Sequence, residues 1–168
     1  EQLRLAMQVP DGMQVLLGNG SDELIQMLAL ALGGEGRTVL SVEPSFVMYR
    51  MIAAFSGLQY VGVPLGPEDF SLDEAALIAA IQEHEPALLF LAYPNNPTGN
   101  CFQRRMVLDI IENSNAIVVL DEAYYEFADD PDFPQTVPYL QEHPNLIILR
   151  TFSKIMGMAG LRVGYAMA

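Results

Sequence analysis

Seven short apolar runs recur along the chain, separated by segments with helical spacing. Several runs are continuous in Val, Ile and Leu, which is typical of strands buried on both faces of a parallel sheet. The predicted strands are Val15–Leu17, Thr38–Val42, Gln59–Val63, Leu88–Ala92, Ala116–Leu120, Leu146–Leu149 and Arg162–Ala166. The predicted helices are Asp22–Leu32, Phe46–Ser56, Asp73–Glu83 and Arg104–Glu112. This alternation predicts an α/β fold, a three-layer α/β/α sandwich around a mostly parallel seven-stranded sheet.

The length of 168 residues suits one domain with a substantial core. Half of the chain is hydrophobic and 17% is charged, which favours a globular interior over disorder. No apolar run reaches the roughly 18–20 residues that a membrane-spanning helix needs. The sequence starts without Met and stops inside a predicted strand, so we expect it to be a fragment of a longer protein.

The net charge of −13 argues against binding to nucleic acid or to an anionic membrane surface. The single cysteine, Cys101, excludes an internal disulfide and fits a reducing cytoplasm. His84 and His143 lack the spacing of metal ligands, so no metal site is expected. The acidic segment Asp129–Pro134 is predicted to be a surface loop. The methionines expected to fill the core include Met27, Met48, Met51, Met156 and Met158.

A glycine-containing turn, Gly18–Glu23, follows the first predicted strand. Ser21 is predicted to cap the next helix, and Asp22 and Glu23 suit its positive end. The free N–H groups of such a helix are a natural seat for a phosphate, although an ordinary capped helix explains the same residues. The spacing matches no dinucleotide or P-loop fingerprint, so a nucleotide-binding Rossmann domain is not favoured.

Two further segments place polar groups directly after strands. The string YPNNPTG at residues 93–99 forms a restricted turn whose Asn side chains could reach a ligand. Asp121 ends the fifth predicted strand, where a buried carboxylate is costly unless a cation or hydrogen-bond donors meet it. Its partner is either an Arg or a helix end, or else the protonated ring nitrogen of a cofactor.

Lys154 is the only lysine of the chain, and it lies among hydroxyl-bearing, small and apolar residues. A lysine is ordinarily a solvated surface charge. In desolvated or cationic surroundings, by contrast, its amine can act as a nucleophile. Arg162, eight residues on, could hold a phosphate together with the hydroxyls of Thr151 and Ser153.

The strings PNNPTG, DEAY and SK followed eight residues later by Arg resemble the fold-type I pyridoxal-phosphate enzymes, the aspartate-aminotransferase superfamily. The longer strings VVLDEAYYEF and LRTFSKIMGMAGLRVGY are most similar to histidinol-phosphate aminotransferases. The resemblance runs from about residue 14 to residue 168, with four motifs in the family's order.

The resemblance implies a role for each matching residue. Lys154 would attach pyridoxal phosphate covalently and move the substrate's proton, and Asp121 would keep the pyridine nitrogen protonated. Asn96 and Tyr124 would bond the phenolic oxygen, and Phe46 would stack on the ring. Lys154, Asp121 and Tyr124 are the implied catalytic residues. The residues implied at the cofactor phosphate are Gly20, Ser21, Asp22, Thr151, Ser153 and Arg162.

The family's N-terminal arm and C-terminal small domain have no counterpart in this sequence. The resemblance therefore implies that residues 1–168 form a pyridoxal-phosphate-binding large domain, with the last strand antiparallel. It implies a cytoplasmic homodimer that moves an amino group between histidinol phosphate and glutamate. The alternatives are an aromatic aminotransferase, a threonine-phosphate decarboxylase, or a non-enzymatic regulatory module. We expect the chain by itself to be a weak transaminase, because an incomplete site admits water.

Overall fold

In the computed structural model, which describes residues 2–128, 133 and 135–168, one seven-stranded sheet forms the centre of the molecule. The strands are β1 Val15–Gly18, β2 Thr38–Glu43, β3 Gln59–Pro64, β4 Leu88–Ala92, β5 Ile117–Asp121, β6 Leu146–Thr151 and β7 Gly164–Met167. Their order across the sheet is β1-β7-β6-β5-β4-β2-β3. The predicted seven-stranded sheet is confirmed.

Helices cover both faces of this sheet. They are α1 Gln2–Ala6, α2 Ser21–Leu32, α3 Met48–Phe55, α4 Glu74–His84 and α5 Arg104–Glu112. Short 3₁₀ turns occur at Tyr125–Phe127, Val137–Gln141 and Ala159–Leu161. Successive residues of a strand face opposite sides, so Val118 and Leu120 pack in the cluster with α4 and α5, and Val119 packs with α2 and α3. The three-layer sandwich is confirmed.

Strand direction decides which loops come together. Strands β2 to β6 pair in parallel, whereas β7 is antiparallel to both of its neighbours, β1 and β6. Because β1 and β6 are both antiparallel to β7, they run in the same direction. The carboxyl ends of β1, β4, β5 and β6 therefore meet at one edge of the sheet, where ligands of open α/β sheets bind.

Several predicted boundaries were wrong by a few residues. Strand β7 begins at Gly164 rather than Arg162, because Arg162 has a left-handed backbone with φ of 52° and follows a 3₁₀ turn. Helix α3 begins at Met48 rather than Phe46. Asp73 is the N-cap of α4 rather than its first residue, since its side chain accepts a hydrogen bond from Ala76 N–H. Helix α1 and the 3₁₀ turns were not predicted, because such short elements show no clear periodicity.

The prediction that methionines fill the core was wrong for four of the five. Met27, Met51, Met156 and Met158 are between 40% and 48% exposed, whereas Met48 packs partly against the core. Their apolar character indicates burial only when the face of the helix or loop that carries them meets another layer.

The sequence also led to expectations about membrane-spanning helices, metal sites and one surface loop. No helix of the described ranges is long and apolar enough to cross a membrane. Within those ranges, no group of three or more His, Cys, Asp and Glu side chains could hold a metal ion. The segment Asp129–Pro134, predicted to be a surface loop, lies outside the described residues except for Phe133, whose ring packs near those of Tyr93 and Tyr125.

Candidate active site

A cleft of about 550 Å³, counting the solvent at its mouth, opens at the carboxyl edge of the sheet. All eleven residues that the sequence implied for a cofactor site line it, and the structure adds only two alanines. The lining residues are Gly20, Ser21, Asp22, Phe46, Ala92, Asn96, Asp121, Ala123, Tyr124, Thr151, Ser153, Lys154 and Arg162. They converge because each is the last residue of a strand, or lies in a segment that follows the carboxyl end of a strand or leads into β7.

Asp121 ends β5 and is only 4% exposed. The hydroxyl of Tyr49 donates to its Oδ2 at 2.8 Å, and the N–H of Ala123 donates to its Oδ1 at 3.2 Å. Burial raises the pKa of Asp121, and both hydrogen bonds counteract that rise because they favour the ionised carboxylate. The side-chain partner is thus a tyrosine hydroxyl, not the Arg or helix end considered from sequence.

Tyr49 is the functional candidate that sequence reasoning missed. It lies in α3, is 1% exposed, and stacks on Phe90 with the ring centroids 4.8 Å apart and the planes 8° apart. Burial raises its pKa well above the usual range, so the hydroxyl stays protonated and donates. A tyrosine on the apolar face of a helix resembles ordinary core, and no local signal indicates a partner 72 positions away.

The N-terminus of α2, at Gly20 and Ser21, has the features of an anion-binding site. Gly20, not the predicted Ser21, is the N-cap of this helix, and the cap has no side-chain hydrogen bond. Gly20 has φ of 80°, a conformation that favours glycine. The first N–H groups of α2 therefore have no capping side chain, and Gly20, Ser21 and Asp22 line the cleft, an arrangement suited to a phosphate.

Arg162 lies against this helix end. A Cβ on Gly20 would lie 2.5 Å from Arg162 Nη2, so the glycine leaves room for the guanidinium. The contacts of Arg162 Nη1 are with Ala159 O at 3.4 Å and Ser153 Oγ at 3.5 Å. Those of Nη2 are with Asn19 O at 3.5 Å and Asp22 Oδ2 at 3.7 Å, so all four are long. Its side chain is 50% exposed. The guanidinium is therefore held near the N-terminus of α2, with donors available for an anion.

Lys154 is exposed, so of the two surroundings considered from sequence the structure shows the solvated one. The loop after β6 leaves its neighbours Ile155 and Met156 exposed as well. Lys154 Nζ lies 4.9 Å from the centroid of the Tyr124 ring, a cation–π contact, and its charge reaches the buried carboxylate, where it favours ionisation of Asp121. The cleft thus presents an accessible amine close to a buried acid.

The two adjacent asparagines of the restricted turn have different surroundings. Asn95 is 2% exposed, and its Nδ2 donates to Pro44 O at 3.0 Å and to Thr98 Oγ1 at 2.6 Å. Those bonds hold the turn together. Asn96 lines the cleft instead. The structure therefore assigns a supporting position to one amide and a ligand-facing position to the other.

This chain belongs to the aminotransferase class I and II family, whose model matches residues 6–168. It is 53% identical over 166 residues to the histidinol-phosphate aminotransferase of Neisseria meningitidis serogroup B. That alignment covers 99% of this chain and 44% of the other protein. The family resemblance inferred from the motifs is confirmed. The chain spans less than half the length of the curated relatives that it matches.

Two solved structures have the same fold. A putative histidinol-phosphate aminotransferase from Erwinia carotovora aligns with a TM-score of 0.90 and 33% identity, over 99% of this chain and 49% of that one. The histidinol-phosphate aminotransferase from Sinorhizobium meliloti, solved in complex with pyridoxal-5'-phosphate, aligns with a TM-score of 0.81 and 30% identity. That alignment covers 92% of this chain and 42% of the other.

Proposed function

We propose that this chain is the pyridoxal-phosphate-binding large domain of a histidinol-phosphate aminotransferase. The full protein would move an amino group between histidinol phosphate and the glutamate/2-oxoglutarate pair in histidine biosynthesis, as a cytoplasmic homodimer. One observation supports the proposal most directly: a single cleft is lined by the buried Asp121, the exposed Lys154, and Arg162 beside the N-terminus of α2. Similarity to proteins of that name over nearly the whole chain supports the substrate.

The donor set of the cleft fits pyridoxal phosphate at each part of the molecule. Asp121 offers a buried carboxylate to a pyridinium nitrogen, and Phe46 offers an aromatic face to the ring. Tyr124 and Asn96 offer a hydroxyl and an amide to the phenolic oxygen. When bound, the cofactor supplies an aldehyde that reacts with amines and a ring that withdraws electrons from the substrate's α-carbon.

The phosphate would be held by groups from two segments of the chain. The start of α2 would supply N–H groups, including that of Ser21. The segment that follows β6 would supply the Thr151 and Ser153 hydroxyls and the Arg162 guanidinium. A helix N-terminus and an arginine both favour a dianion, and the long present contacts of Arg162 leave its donors available.

Lys154 would attach the cofactor and move the proton at the substrate's α-carbon. Its amine forms no ion pair with any side chain that the structure describes. It lies 4.9 Å from the centroid of the Tyr124 ring, so the amine is beside the residue proposed for the phenolic oxygen. Asp121 would hold the ring nitrogen in its cationic form, because an ionised carboxylate in a buried position favours a nearby positive charge.

Borohydride trapping tests the cofactor assignment. The protein is incubated with pyridoxal phosphate, reduced, digested and mapped by mass spectrometry. Because Lys154 is the only lysine, the pyridoxyl group should appear on its peptide and be absent from Lys154→Ala and Lys154→Arg. The α-amino group is the one competing amine, and its peptide serves as the internal control. A folded wild-type protein that carries the pyridoxyl group on its α-amino group and none on the Lys154 peptide would refute the assignment.

The identity of the substrate is tested separately, with the full-length protein. Consumption of histidinol phosphate with 2-oxoglutarate is compared with transamination of phenylalanine and with carbon dioxide release from threonine phosphate. Preference for histidinol phosphate supports the proposed reaction. Preference for either of the others would assign the cofactor cleft to an aromatic aminotransferase or to a decarboxylase.

A further inference from the structure

The contact between Tyr49 and Asp121 joins a residue outside the cleft to the acid at its floor. We propose that Tyr49 is a positioning residue, which fixes the Asp121 carboxylate for the ring nitrogen of the cofactor and determines how strongly the protein prefers a ligand with that nitrogen. The inference rests on the proposed function. Tyr49 itself does not line the cleft, so it would act only through Asp121 and Phe46.

The first step is the geometry of the carboxylate. Tyr49 Oη donates to Oδ2 at 2.8 Å, and Ala123 N–H donates to Oδ1 at 3.2 Å. One donor on each oxygen sets the rotation of the carboxylate plane. The lone pairs that remain belong to a residue that lines the cleft, where a ring N–H could meet them. A carboxylate with only the Ala123 bond would be free to turn away.

The second step is that Tyr49 is itself held in place. Its ring stacks on Phe90 at a centroid distance of 4.8 Å and meets Phe46 edge-on at 5.5 Å with an interplanar angle of 85°. Phe46 lines the cleft, where it would cover the face of the cofactor ring. One buried side chain therefore contacts both the proposed partner of the ring nitrogen and the proposed partner of the ring face.

The third step is charge. Burial and the neighbouring carboxylate both raise the pKa of Tyr49, so its hydroxyl remains a donor. At Asp121, burial favours the neutral acid, and the charge of Asp22 acts in the same direction. The Tyr49 bond, the Ala123 N–H and the charge of Lys154 favour the carboxylate. Removing the hydroxyl would therefore increase the neutral fraction of Asp121 and weaken its attraction for a cationic nitrogen.

Two ligands isolate this effect. Pyridoxal phosphate and 1-deazapyridoxal phosphate differ only in that a C–H replaces the ring nitrogen, so the ratio of their dissociation constants reports the contact with Asp121. The ratio is measured by equilibrium dialysis for the full-length wild type and for Tyr49→Phe, which keeps the ring. Tyr93→Phe is the matched control, because Tyr93 is also 1% exposed and its hydroxyl donates to Phe102 O at 3.1 Å, away from the cleft.

The wild type should prefer pyridoxal phosphate, and Tyr49→Phe should reduce that preference roughly tenfold, the effect of losing one hydrogen bond to a charged group. Affinity for the deaza compound should hardly change, and Tyr93→Phe should keep the wild-type ratio. A wild-type ratio in Tyr49→Phe would overturn the inference alone. Equal affinity of the wild type for both ligands would overturn the role of Asp121 as well, and so the proposed function.

A merely structural role of Tyr49 would weaken binding of both ligands equally, and that result would also overturn the inference. Folding is monitored by circular dichroism. If Tyr49→Phe does not fold, 4-aminophenylalanine incorporated at position 49 provides the second test, because it keeps the ring and places an N–H donor where the hydroxyl was. It should keep a preference for the ring nitrogen, and a folded protein with this residue but without such a preference would contradict the proposal.

Discussion

Arg150 Nε donates to Glu122 Oε2 at 2.8 Å, and the two side chains are 9% and 0% exposed. Strand alternation places this ion pair on the face of the sheet opposite to the cleft, one residue from Thr151 and one from Asp121. Thr136 also donates to Glu122, and the Arg150 guanidinium lies 4.3 Å from the centroid of the Tyr125 ring. The pair therefore joins the ends of β5 and β6 to the segment that follows β5.

Arg150→Met should destabilise the protein by about 3–5 kcal/mol, because it leaves Glu122 charged and buried without a cation. Urea unfolding followed by circular dichroism measures the loss. Arg50→Met is the matched control: its ion pair with Glu43 lies at the surface, with the arginine 59% exposed, so its loss should change stability far less.

Changing both partners separates the buried charge from the lost contact. Arg150→Met combined with Glu122→Leu should be more stable than Arg150→Met alone, because no buried charge then lacks a partner. Equal losses for Arg150→Met and Arg50→Met would contradict the importance assigned to burial here.

Asp121→Asn should make the unliganded protein more stable at neutral pH while it weakens binding of pyridoxal phosphate. Burial raises the pKa of Asp121 above its ordinary value of 3.8, so between the two values the folded state binds more protons than the unfolded state. Stability from this group is therefore present below pH 3.8 and is lost as pH rises through the raised pKa. Asparagine does not ionise and avoids that loss.

Thermal unfolding from pH 4 to pH 8 checks this prediction. Wild type and Asp121→Asn should differ least at the acidic end and most at neutral pH. Asp11→Asn, at an exposed position, is the control for the substitution itself. A parallel pair of profiles for wild type and Asp121→Asn would show that ionisation of Asp121 does not lower stability.

Gly20→Ala should weaken phosphate binding through Arg162. Gly20 has φ of 80° and its added Cβ would lie 2.5 Å from Arg162 Nη2, so the guanidinium must shift. Gly57 has φ of 72°, and an added Cβ there would meet nothing within 4 Å. Both substitutions should cost about 1–2 kcal/mol of stability through backbone strain. Only Gly20→Ala should reduce affinity for the ligand's phosphate.

The comparison of pyridoxal phosphate with pyridoxal, which lacks the phosphate, measures that affinity. The ratio of the two dissociation constants should fall in Gly20→Ala and remain at the wild-type value in Gly57→Ala. If both variants keep the wild-type ratio, Arg162 does not depend on the space that Gly20 provides.

Much of this site could be predicted because its residues follow strands. The apolar runs that predict β4, β5 and β6 are followed within five residues by Asn96, Tyr124 and Lys154, and parallel strands bring such segments to one edge. Short-range periodicity was sufficient to predict the fold class, and the resemblance carried by the motif strings was sufficient to predict the family and the residues of the cleft. Periodicity and motif strings both depend on residues that are close in sequence, so they can be read without the structure.

The contacts that orient those residues were decided only by the tertiary structure. The hydroxyl of Tyr49 meets Asp121 because its ring stacks on Phe90 of β4 beside the end of β5, whereas the pattern of α3 indicates only an apolar face. Asn95 and Asn96 are adjacent in sequence, yet one holds the turn together and the other lines the cleft. Lys154 is exposed although its neighbours are apolar. Sequence periodicity specifies which face of an element is apolar. The order of the strands and the packing of the layers specify which side chain that face meets.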